Sequence, residues 1–399
     1  MSMTFDLDPA TAELAARMSK FVGEVVIPEE ARSGISLHHG DEQLRQRLVS
    51  SAKEFGVYGP HVPEEFGGHG LSLLQLAVVF EQAGRSLLGP LAIQAQAPDE
   101  GNINLLDKVA NSEQRQRFLA PLAAGDVRSC IVMTEPNGAG SDPNALTTTA
   151  RRSDRGWVIN GRKWFISGAH GAAFGIVLAR SSGEWGDRGG ATMFLVDMNT
   201  PGLEEVRVID SLDEGYFGGH SELLFTDVEV SDDAVLGEVD LGLKYAQVRL
   251  GPARMTHCMR WLGIAQRSQE IAIERAIERE VFGAKLSELG MVQQLIADNE
   301  IDLEASRALL YRTCAELDSG ATATRSTSIT KTFVSEALGR VVDRSIQICG
   351  ALGISYDTPL SRFYRELRPF RIYDGPSEVH RWAIARRAVG RFEANRTNG

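Results

Sequence analysis

The chain has 399 residues and a formal net charge of −11, with 42 Lys and Arg residues against 53 Asp and Glu residues. A chain this acidic, whose basic residues are dispersed, repels a phosphate backbone, so we expect no nucleic-acid partner. No apolar run reaches the roughly 18 residues that a membrane-spanning helix needs, which argues against membrane insertion.

The four cysteines lie far apart and show no CxxC spacing, and the eight histidines show no HExxH-like spacing. These patterns argue against a structural zinc site and a disulfide framework, and we predict no metal. The N-terminal segment MSMTFDLDPA is acidic and lacks the pattern of a secretory or transit peptide. The expected location is therefore cytoplasmic.

Residues 1–128 have the pattern of a helical domain. Apolar residues recur at three- and four-residue spacing, as in Leu14, Met18 and Phe21, and loops are expected at Gly56–Pro60 and Glu65–Gly70. This spacing buries one face of each helix.

Residues 129–238 change to short β-prone runs separated by Gly, Asn, Asp and Pro. The pair Asn160-Gly161 between two such runs predicts a hairpin, because the turn positions of a two-residue hairpin need positive φ. Further strands are expected at Gly175–Ala179, Ala191–Val196, Glu205–Ile209 and Glu222–Val230. We interpret this zone as an antiparallel β domain.

Residues 239–399 return to helical periodicity. Helices are predicted from Leu241 to about Val281, from about Ser287 to Ser319, from Thr324 to Cys349, and from about Pro376 onward. Four long helices favour a four-helix bundle. The predicted fold class is thus mainly α with a β domain, with domains at 1–128, 129–238 and 239–399.

Six motifs follow one another along the chain, and none of them is a P-loop or a Rossmann fingerprint. They are Pro63–Gly68, Met133–Asp142, Asn160–Gly168, Arg279–Gly283, Gln347–Gly350 and Arg371–Gly375. In order and spacing they resemble the acyl-CoA dehydrogenase family over nearly the whole chain. The segments Arg249–Arg260 and Asp374–His380 resemble a branch with an Asp-Gly-Pro sequence at the base, which includes enzymes acting on 4-hydroxyacyl-CoA derivatives.

The resemblance implies a helical domain, a β-barrel-like domain and a four-helix bundle. It also implies FAD as the cofactor, an acyl-CoA substrate and a role in fatty acid β-oxidation. The expected assembly is a homodimer or homotetramer, and the expected electron acceptor is an electron-transferring flavoprotein.

Asp374 is the expected catalytic base. The α-proton of a thioester is too weakly acidic to leave without a nearby carboxylate and a stabilised enolate oxygen. The family's pattern assigns the base to Asp374 Oδ and one enolate donor to the backbone N–H of the same residue. The apolar neighbours Ile372 and Tyr373 are expected to exclude water and raise the pKa of the carboxyl.

Two further positions bear on the base. Much of the family has Glu at the base position, and Asp is shorter by one methylene, so the substrate must sit closer. Some relatives carry the base on the first bundle helix, where this chain has Ala253, which cannot serve. Arg254 is expected to be a buried cation that supports the site, and Tyr373 and Gly375 to contact the substrate with Arg254 and Asp374. Each of these two residues has a second interpretation. Asp374 would then only cap the last helix, and Arg254 would only form an ion pair within its helix.

The resemblance also assigns residues to the cofactor. Thr134 and Ser167 match positions that hydrogen-bond the isoalloxazine ring. Phe165 matches a position that packs against the ring, and Met133 and Ile166 match positions that offer it backbone groups. Gly140 and Ser141 belong to the glycine-rich loop, where Ser141 would reach the CoA pantetheine. Four further positions are expected to bind the pyrophosphate and adenine side of FAD: Arg279 and Phe282, supplied by the neighbouring subunit, and Gln347 and Gly350, which complete that pocket. Pro376 and Glu378 are the last two expected FAD-binding positions.

Some positions depart from the family's pattern or carry another interpretation. Many relatives have Thr-x-Gln where this chain has Pro376-Ser377-Glu378, and the usual second glycine after Gly350 is Ala351. His220 and His257 are interpreted as structural. The acyl pocket has candidates in Gln94–Ala97, His220 and Trp261.

Two other functions stay open on the residues. A flavin oxidase on the same fold, of the nitroalkane oxidase kind, would also use an Asp base. A non-catalytic flavin scaffold that binds DNA is disfavoured by the acidic charge and by the intact base position.

Overall fold

A computed structural model describes residues 8–33 and 37–397. Its helices are α1 Pro9–Phe21, α2 Ile27–Ser33, α3 Glu42–Glu54, α4 Leu73–Ala83, α5 Gly89–Ala92, α6 Asp99–Val109, α7 Ser112–Gln114, α8 Ala120–Ala123, α9 Gly242–Glu278, α10 Gly290–Asp318, α11 Thr324–Cys349, α12 Ala351–Ile354, α13 Leu360–Leu367 and α14 Ser377–Thr397. Its strands are β1 Ser129–Val132, β2 Thr149–Ser153, β3 Gly156–Ser167, β4 Phe174–Arg180, β5 Ala191–Asp197, β6 Leu203–Val208, β7 His220–Val230, β8 Val235–Leu236, β9 Glu280–Val281 and β10 Ala284–Lys285.

The order of helices, sheet and helices confirms the predicted fold class, and 56% of the structure is helical. The four long C-terminal helices α9, α10, α11 and α14 begin near the predicted residues, α9 and α10 also end near them, and α11 matches at both ends. No helix in the described ranges is long and apolar enough to cross a membrane.

The chain folds into two compact units. Unit 1 contains the stretch ending at Glu30, Ser72–Pro90 and the chain from Arg254 onward, and unit 2 contains Ala31–Leu71 and Leu91–Ala253. Helix α9 begins in unit 2 and continues into unit 1, so the units are not consecutive in sequence.

Unit 1 is helical. Helix α10 packs against α4 and α11, and α11 also packs against α13 and α14. Leu303 and Leu310 of α10 are buried, as the apolar spacing predicts. The carboxylate of Asp318, at the end of α10, accepts hydrogen bonds from the first backbone N–H groups of α4, at Leu73 and Leu74. This contact satisfies donors that a helix start leaves unpaired.

Unit 2 is built on a sheet with the strand order β6-β7-β3-β2-β4-β5-β8, and β1 pairs with β4. Side chains of a strand alternate between the two faces, and in the central strands β4 and β5 both faces are buried. Val177 and Phe194 pack with Trp157 on one face, whereas Ile176 and Met193 pack with helical residues such as Leu106 on the other. Most pairings are antiparallel as predicted, but β1–β4 and the single pair between β2 and β4 are parallel.

The predicted hairpin at Asn160-Gly161 is wrong, because both residues lie inside the continuous strand β3. The hairpin joins β2 to β3, with Asp154 and Arg155 between Ser153 and Gly156. Gly161 has φ of +154° and marks an irregularity in the pairing with β7. A Cβ there would lie 2.4 Å from Thr148 Oγ1, so this position requires glycine for a close approach rather than for a turn.

Candidate active site

Asp374 lies in the short segment between α13 and α14, with its backbone in the left-handed region at φ +53°. The backbone is held by its own carbonyl oxygen, which accepts from Arg254 Nε at 2.9 Å and from His380 Nε2 at 3.1 Å. Burial and the nearby Arg254 and Lys331 lower the pKa of His380 to about 4, so at neutral pH its ring is a neutral donor. The left-handed conformation, uncommon for a residue other than glycine, is thus stabilised by two side chains.

The next carbonyl is fixed in the same way. Lys331 Nζ of α11 donates to Gly375 O at 2.7 Å. Burial lowers the pKa of Lys331 to about 8, although Asp374 opposes this shift. A Cβ at Gly375, whose φ is +98°, would lie 2.6 Å from His380 Nε2, so glycine is needed between Asp374 and the last helix.

The carboxylate of Asp374 is mostly buried, with 16% of the side chain exposed. Its Oδ2 atom is buried and has no hydrogen-bond partner. The ring nitrogen His257 Nε2 lies 3.5 Å from this oxygen. Within residues 8–33 and 37–397, the backbone N–H of Asp374 donates to no acceptor. Buried polar groups are normally paired, so Oδ2 and the backbone N–H of Asp374 are two groups that a bound substrate can pair.

One face of α9 lines this site. Arg254, His257 and Trp261 are three and four residues apart, a spacing that places side chains on one face of a helix. Arg254 and His257 contact Asp374, as described above. Trp261 Nε1 donates to Tyr373 Oη at 2.6 Å. Burial lowers the pKa of Arg254, and the charge of Asp374 opposes the shift.

Two expectations about this segment have different outcomes. Of the predicted residues, the structure brings Asp374, Arg254, Tyr373 and Gly375 together. Ile372 is 58% exposed in the single chain, however, so it does not exclude water there as expected.

The predicted flavin-ring residues of unit 2 lie together where β3 passes the loop after β1. Thr134 Oγ1 donates to Trp164 O at 2.6 Å, and Trp164 N donates to Thr134 O at 3.0 Å. The hydroxyl hydrogen of Thr134 is therefore committed within the protein, and its lone pairs remain to accept from an N–H group of a ligand.

Ser167 ends β3 and belongs to a buried chain of hydrogen bonds. Its Oγ lies 2.9 Å from His220 Nδ1, and His220 Nε2 lies 3.0 Å from Asp213 Oδ2. Burial raises the pKa of Asp213, but the hydrogen bond from His220 outweighs it and the pKa lies below its ordinary value. The carboxylate of Asp213 accepts from His220 Nε2, and Nδ1 of the same ring faces the hydroxyl of Ser167.

Phe165 stands between these groups at a break in the β3–β7 register, with φ of +50° and 48% of its surface exposed. The break turns an aromatic ring outward from the sheet. The side chain of Ile166 is buried, and Met133 O accepts from Lys163 Nζ at 2.9 Å. Gly140 and Ser141 are exposed, with open space beside Gly140.

Other predicted cofactor residues lie on the surface of the single chain. Phe282 is fully exposed in the turn between β9 and β10, and Arg279 precedes that turn. Gln347 and Gly350 are exposed at the end of α11. Pro376 is half-buried, and the side chain of Glu378 is 82% exposed. The intervening Ser377 is buried and donates to Glu336.

A buried ion pair, which the sequence motifs do not predict, connects the segment Met133–Asp142 to the segment Asn160–Gly168. Lys163 Nζ donates to Glu135 Oε1 at 3.0 Å, and neither side chain is exposed. Glu135 also accepts from the N–H and hydroxyl of Thr147 and the N–H of Thr148. Burial raises the pKa of Glu135, but these partners outweigh it and lower the pKa to about 2.

Sequence reasoning also missed residues around Asp374, namely Lys331, His380 and the contact of His257. Lys331 and His380 gave no signal, since only folding brings them to this segment. For His257 the spacing from Arg254 on one helix face was a usable signal.

Sequence models of three domains match the chain: the acyl-CoA dehydrogenase N-terminal domain at residues 8–126, the middle domain at 130–228 and the C-terminal domain at 240–389. A probable acyl-CoA dehydrogenase of Mycobacterium tuberculosis, FadE2, is 35% identical over 98% of this chain and 98% of its own length. A solved putative acyl-CoA dehydrogenase from Mycobacterium abscessus is 32% identical with a TM-score of 0.90, over 97% of this chain and all of that one. The chain belongs to the acyl-CoA dehydrogenase family.

Two further matches give context. The chain spans about half the length of other curated relatives, such as acyl-CoA dehydrogenase family member 11 of Gallus gallus, which is 35% identical over 94% of this chain and 50% of its own length. The structure described as the FAD complex of PigA is 25% identical with a TM-score of 0.88, over 98% of this chain and all of that one.

Proposed function

We propose that this chain is an FAD-dependent acyl-CoA dehydrogenase that forms a trans-2-enoyl-CoA, with Asp374 as the base. The observation that carries the proposal is the carboxylate of Asp374, which is buried with Oδ2 unpartnered on a strained but firmly held backbone. A carboxylate in this state is available to take a proton from a substrate, whereas a structural carboxylate is normally saturated with donors.

The surroundings of Asp374 suit the two demands of α-proton abstraction. The contacts from Arg254 and His380 to its carbonyl fix the direction of the side chain, and misplacement by about 1 Å is costly in such a step. Its backbone N–H, which has no acceptor in the described residues, suits the developing enolate oxygen. Arg254 and Lys331 supply positive charge nearby.

The residues of this chain fit FAD. Thr134 donates its hydroxyl hydrogen to Trp164 O, so its lone pairs can accept from an N–H group of a ring. The hydroxyl of Ser167, held by His220 Nδ1, supplies a second hydrogen-bonding group. Phe165 offers an exposed aromatic surface, and Gly140 and Gly350 have open space beside them. When bound, FAD supplies the acceptor for the hydride that leaves Cβ. The PigA structure with FAD supports this assignment by its shared fold.

The partners are part of the proposal. Phe282 is fully exposed and Met291, Tyr356 and Trp382 are largely exposed, so these apolar side chains are available to a neighbouring subunit. They support a homodimer or homotetramer in which Arg279 and Phe282 reach the cofactor of a neighbour. An electron-transferring flavoprotein is the proposed electron acceptor, and the proposed location is cytoplasmic.

The test uses the FAD-loaded protein mixed anaerobically with a series of acyl-CoA thioesters while the flavin absorbance is recorded. We expect at least one thioester to bleach the flavin. Asp374→Asn is expected to keep FAD and to slow bleaching by roughly 10²- to 10⁴-fold, the usual contribution of a positioned base. The control is Asp343→Asn, on the exposed side of α11, which should bleach like the wild type.

Three results would contradict the proposal. Bleaching of Asp374→Asn at the wild-type rate would place the base elsewhere. Rapid peroxide formation in air with a non-thioester substrate would favour the flavin oxidase. No bleaching with any thioester, together with a DNA mobility shift, would favour the scaffold.

A further inference from the structure

We propose that His257 is a positioning residue that presents a neutral N–H to Asp374, and that Arg260 holds it in that state. The inference rests on the proposed function, in which Asp374 is the base. The inference gives His257, which the sequence alone suggested to be a structural residue, a role in the reaction.

The contact with Arg260 fixes one ring nitrogen of His257. Arg260 Nη2 lies 3.0 Å from His257 Nδ1, and both residues are buried. A guanidinium has only donors, so Nδ1 must accept with its lone pair. The single proton of the neutral ring is therefore on Nε2.

Nε2 is the atom that faces the carboxylate. It lies 3.5 Å from Asp374 Oδ2, beyond the usual 2.7 to about 3.2 Å of an N–H···O bond. The rings of Tyr373 and Phe370 lie 4.8 Å and 5.9 Å from the imidazole and restrict its plane. His257 thus directs positive potential at Oδ2 without occupying its lone pair.

A second proton on His257 would change the chemistry of Asp374. An imidazolium forms short, charge-assisted bonds with carboxylates, which would draw Oδ2 into an ion pair and make it a weaker base. The second proton would have to go on Nδ1, where it would displace Arg260. The other ionisable groups that interact within this cluster are Arg254, Cys258, Lys331, Glu336, His380 and Arg387. Most of the charged ones are cations, which further oppose an imidazolium.

The first measurement is the tautomer itself, by ¹⁵N NMR of histidine-labelled, FAD-loaded protein, with the His257 resonances assigned by their loss in His257→Gln. We expect a neutral ring protonated on Nε2 from about pH 5.5 to 8.5. An imidazolium, or a ring protonated on Nδ1, at pH 7 in the wild type would overturn the proposal. This readout does not depend on whether Asp374 is the base.

The second measurement is the pH profile of flavin reduction by an acyl-CoA. In Arg260→Met, the guanidinium no longer occupies Nδ1 of His257, so this nitrogen can accept a second proton as the pH falls. We expect a new acid limb, with the rate at pH 5.5 at least about 10-fold below its plateau, while NMR detects the titration. The double variant Arg260→Met with His257→Gln should lack this limb, and the exposed-site control Arg325→Met should match the wild type.

The outcomes separate the two proposals. Titration of His257 in Arg260→Met without a new acid limb would overturn the link between His257 and Asp374. Unchanged flavin reduction in Asp374→Asn would overturn the base assignment, whatever the tautomer. If Arg260→Met fails to retain FAD, the wild-type NMR result decides the state of His257.

Discussion

Each unit of the chain holds a carboxylate and a lysine in its interior, and the two pairs are connected differently. In unit 2, Lys163 donates directly to Glu135, whose two oxygens are further bonded by Thr147 and Thr148. In unit 1, Lys331 donates to the carbonyl of Gly375 rather than to a carboxylate. Asp374, which precedes Gly375, has no hydrogen-bond partner at Oδ2. Burial lowers the pKa of both lysines to about 8.

The difference separates a carboxylate that stabilises the fold from one that is free to react. A saturated carboxylate is held in its charged form, and the pKa of Glu135 at about 2 reflects that. An unsaturated carboxylate keeps a lone pair for a substrate proton.

The largest expected effect is on stability, in Glu135→Gln. The substitution leaves Lys163 buried without its ionic partner, and breaking such a pair typically costs about 3–5 kcal/mol. Thermal unfolding checks the loss, and hydrogen exchange of peptides from β3 should localise it. In the same assays Asp374→Asn should cost clearly less than Glu135→Gln, because its Oδ2 has no hydrogen bond to lose and only its charge attraction to Arg254 and Lys331 is removed. Equal losses in the two variants would contradict the comparison.

The next effect is the acid dependence of unit 2. The pKa of Glu135 is about 2 in the fold against 4.5 ordinarily, so the folded state binds fewer protons than the unfolded state in that range. Its stabilisation is complete above about pH 4.5 and is lost as the pH falls toward 2, by on the order of 3 kcal/mol. Urea unfolding at pH 5, 4 and 3 measures this slope, and Glu135→Gln should flatten it. Parallel slopes for variant and wild type would refute the assignment.

The smallest effect is alkaline and concerns Lys331. Its pKa is about 8 in the fold against 10.5 ordinarily, so between these values the unfolded state binds more protons and stability rises with pH. We expect a rise of about 2 kcal/mol between pH 8 and 10, since one unit of pKa difference corresponds to about 1.4 kcal/mol. Thermal unfolding from pH 8 to 10 should detect the rise in the wild type and in the exposed-site control Lys20→Met, but not in Lys331→Met. A rise that persists in Lys331→Met belongs to another group.

Local patterns predicted the helices well. The apolar spacing and the turn residues on either side of α11 give both of its ends, because these features act within a few residues. The same local reasoning placed a hairpin at Asn160-Gly161, where the long-range pairing of β3 with β7 keeps the strand continuous. Propensity for a turn is a weak preference that sheet pairing overrides.

The site was predictable only in part. Motifs singled out Asp374, Arg254 and the residues from Thr134 to Ser167, and the structure gives them their contacts. The partners of Asp374 on α11 and α14, and the 28-residue separation between Glu135 and Lys163, depend on tertiary contacts that no local pattern contains.

The close approach at Gly161 has a consequence for how mutations in this chain should be interpreted. Any side chain at position 161 would press on Thr148, whose N–H also bonds Glu135. A substitution at this one position of β3 would therefore loosen the buried ion pair through a single threonine. In a screen of random variants, losses at Gly161 would report damaged folding rather than a damaged reaction, and only a measurement of the intact protein fraction would tell the two apart.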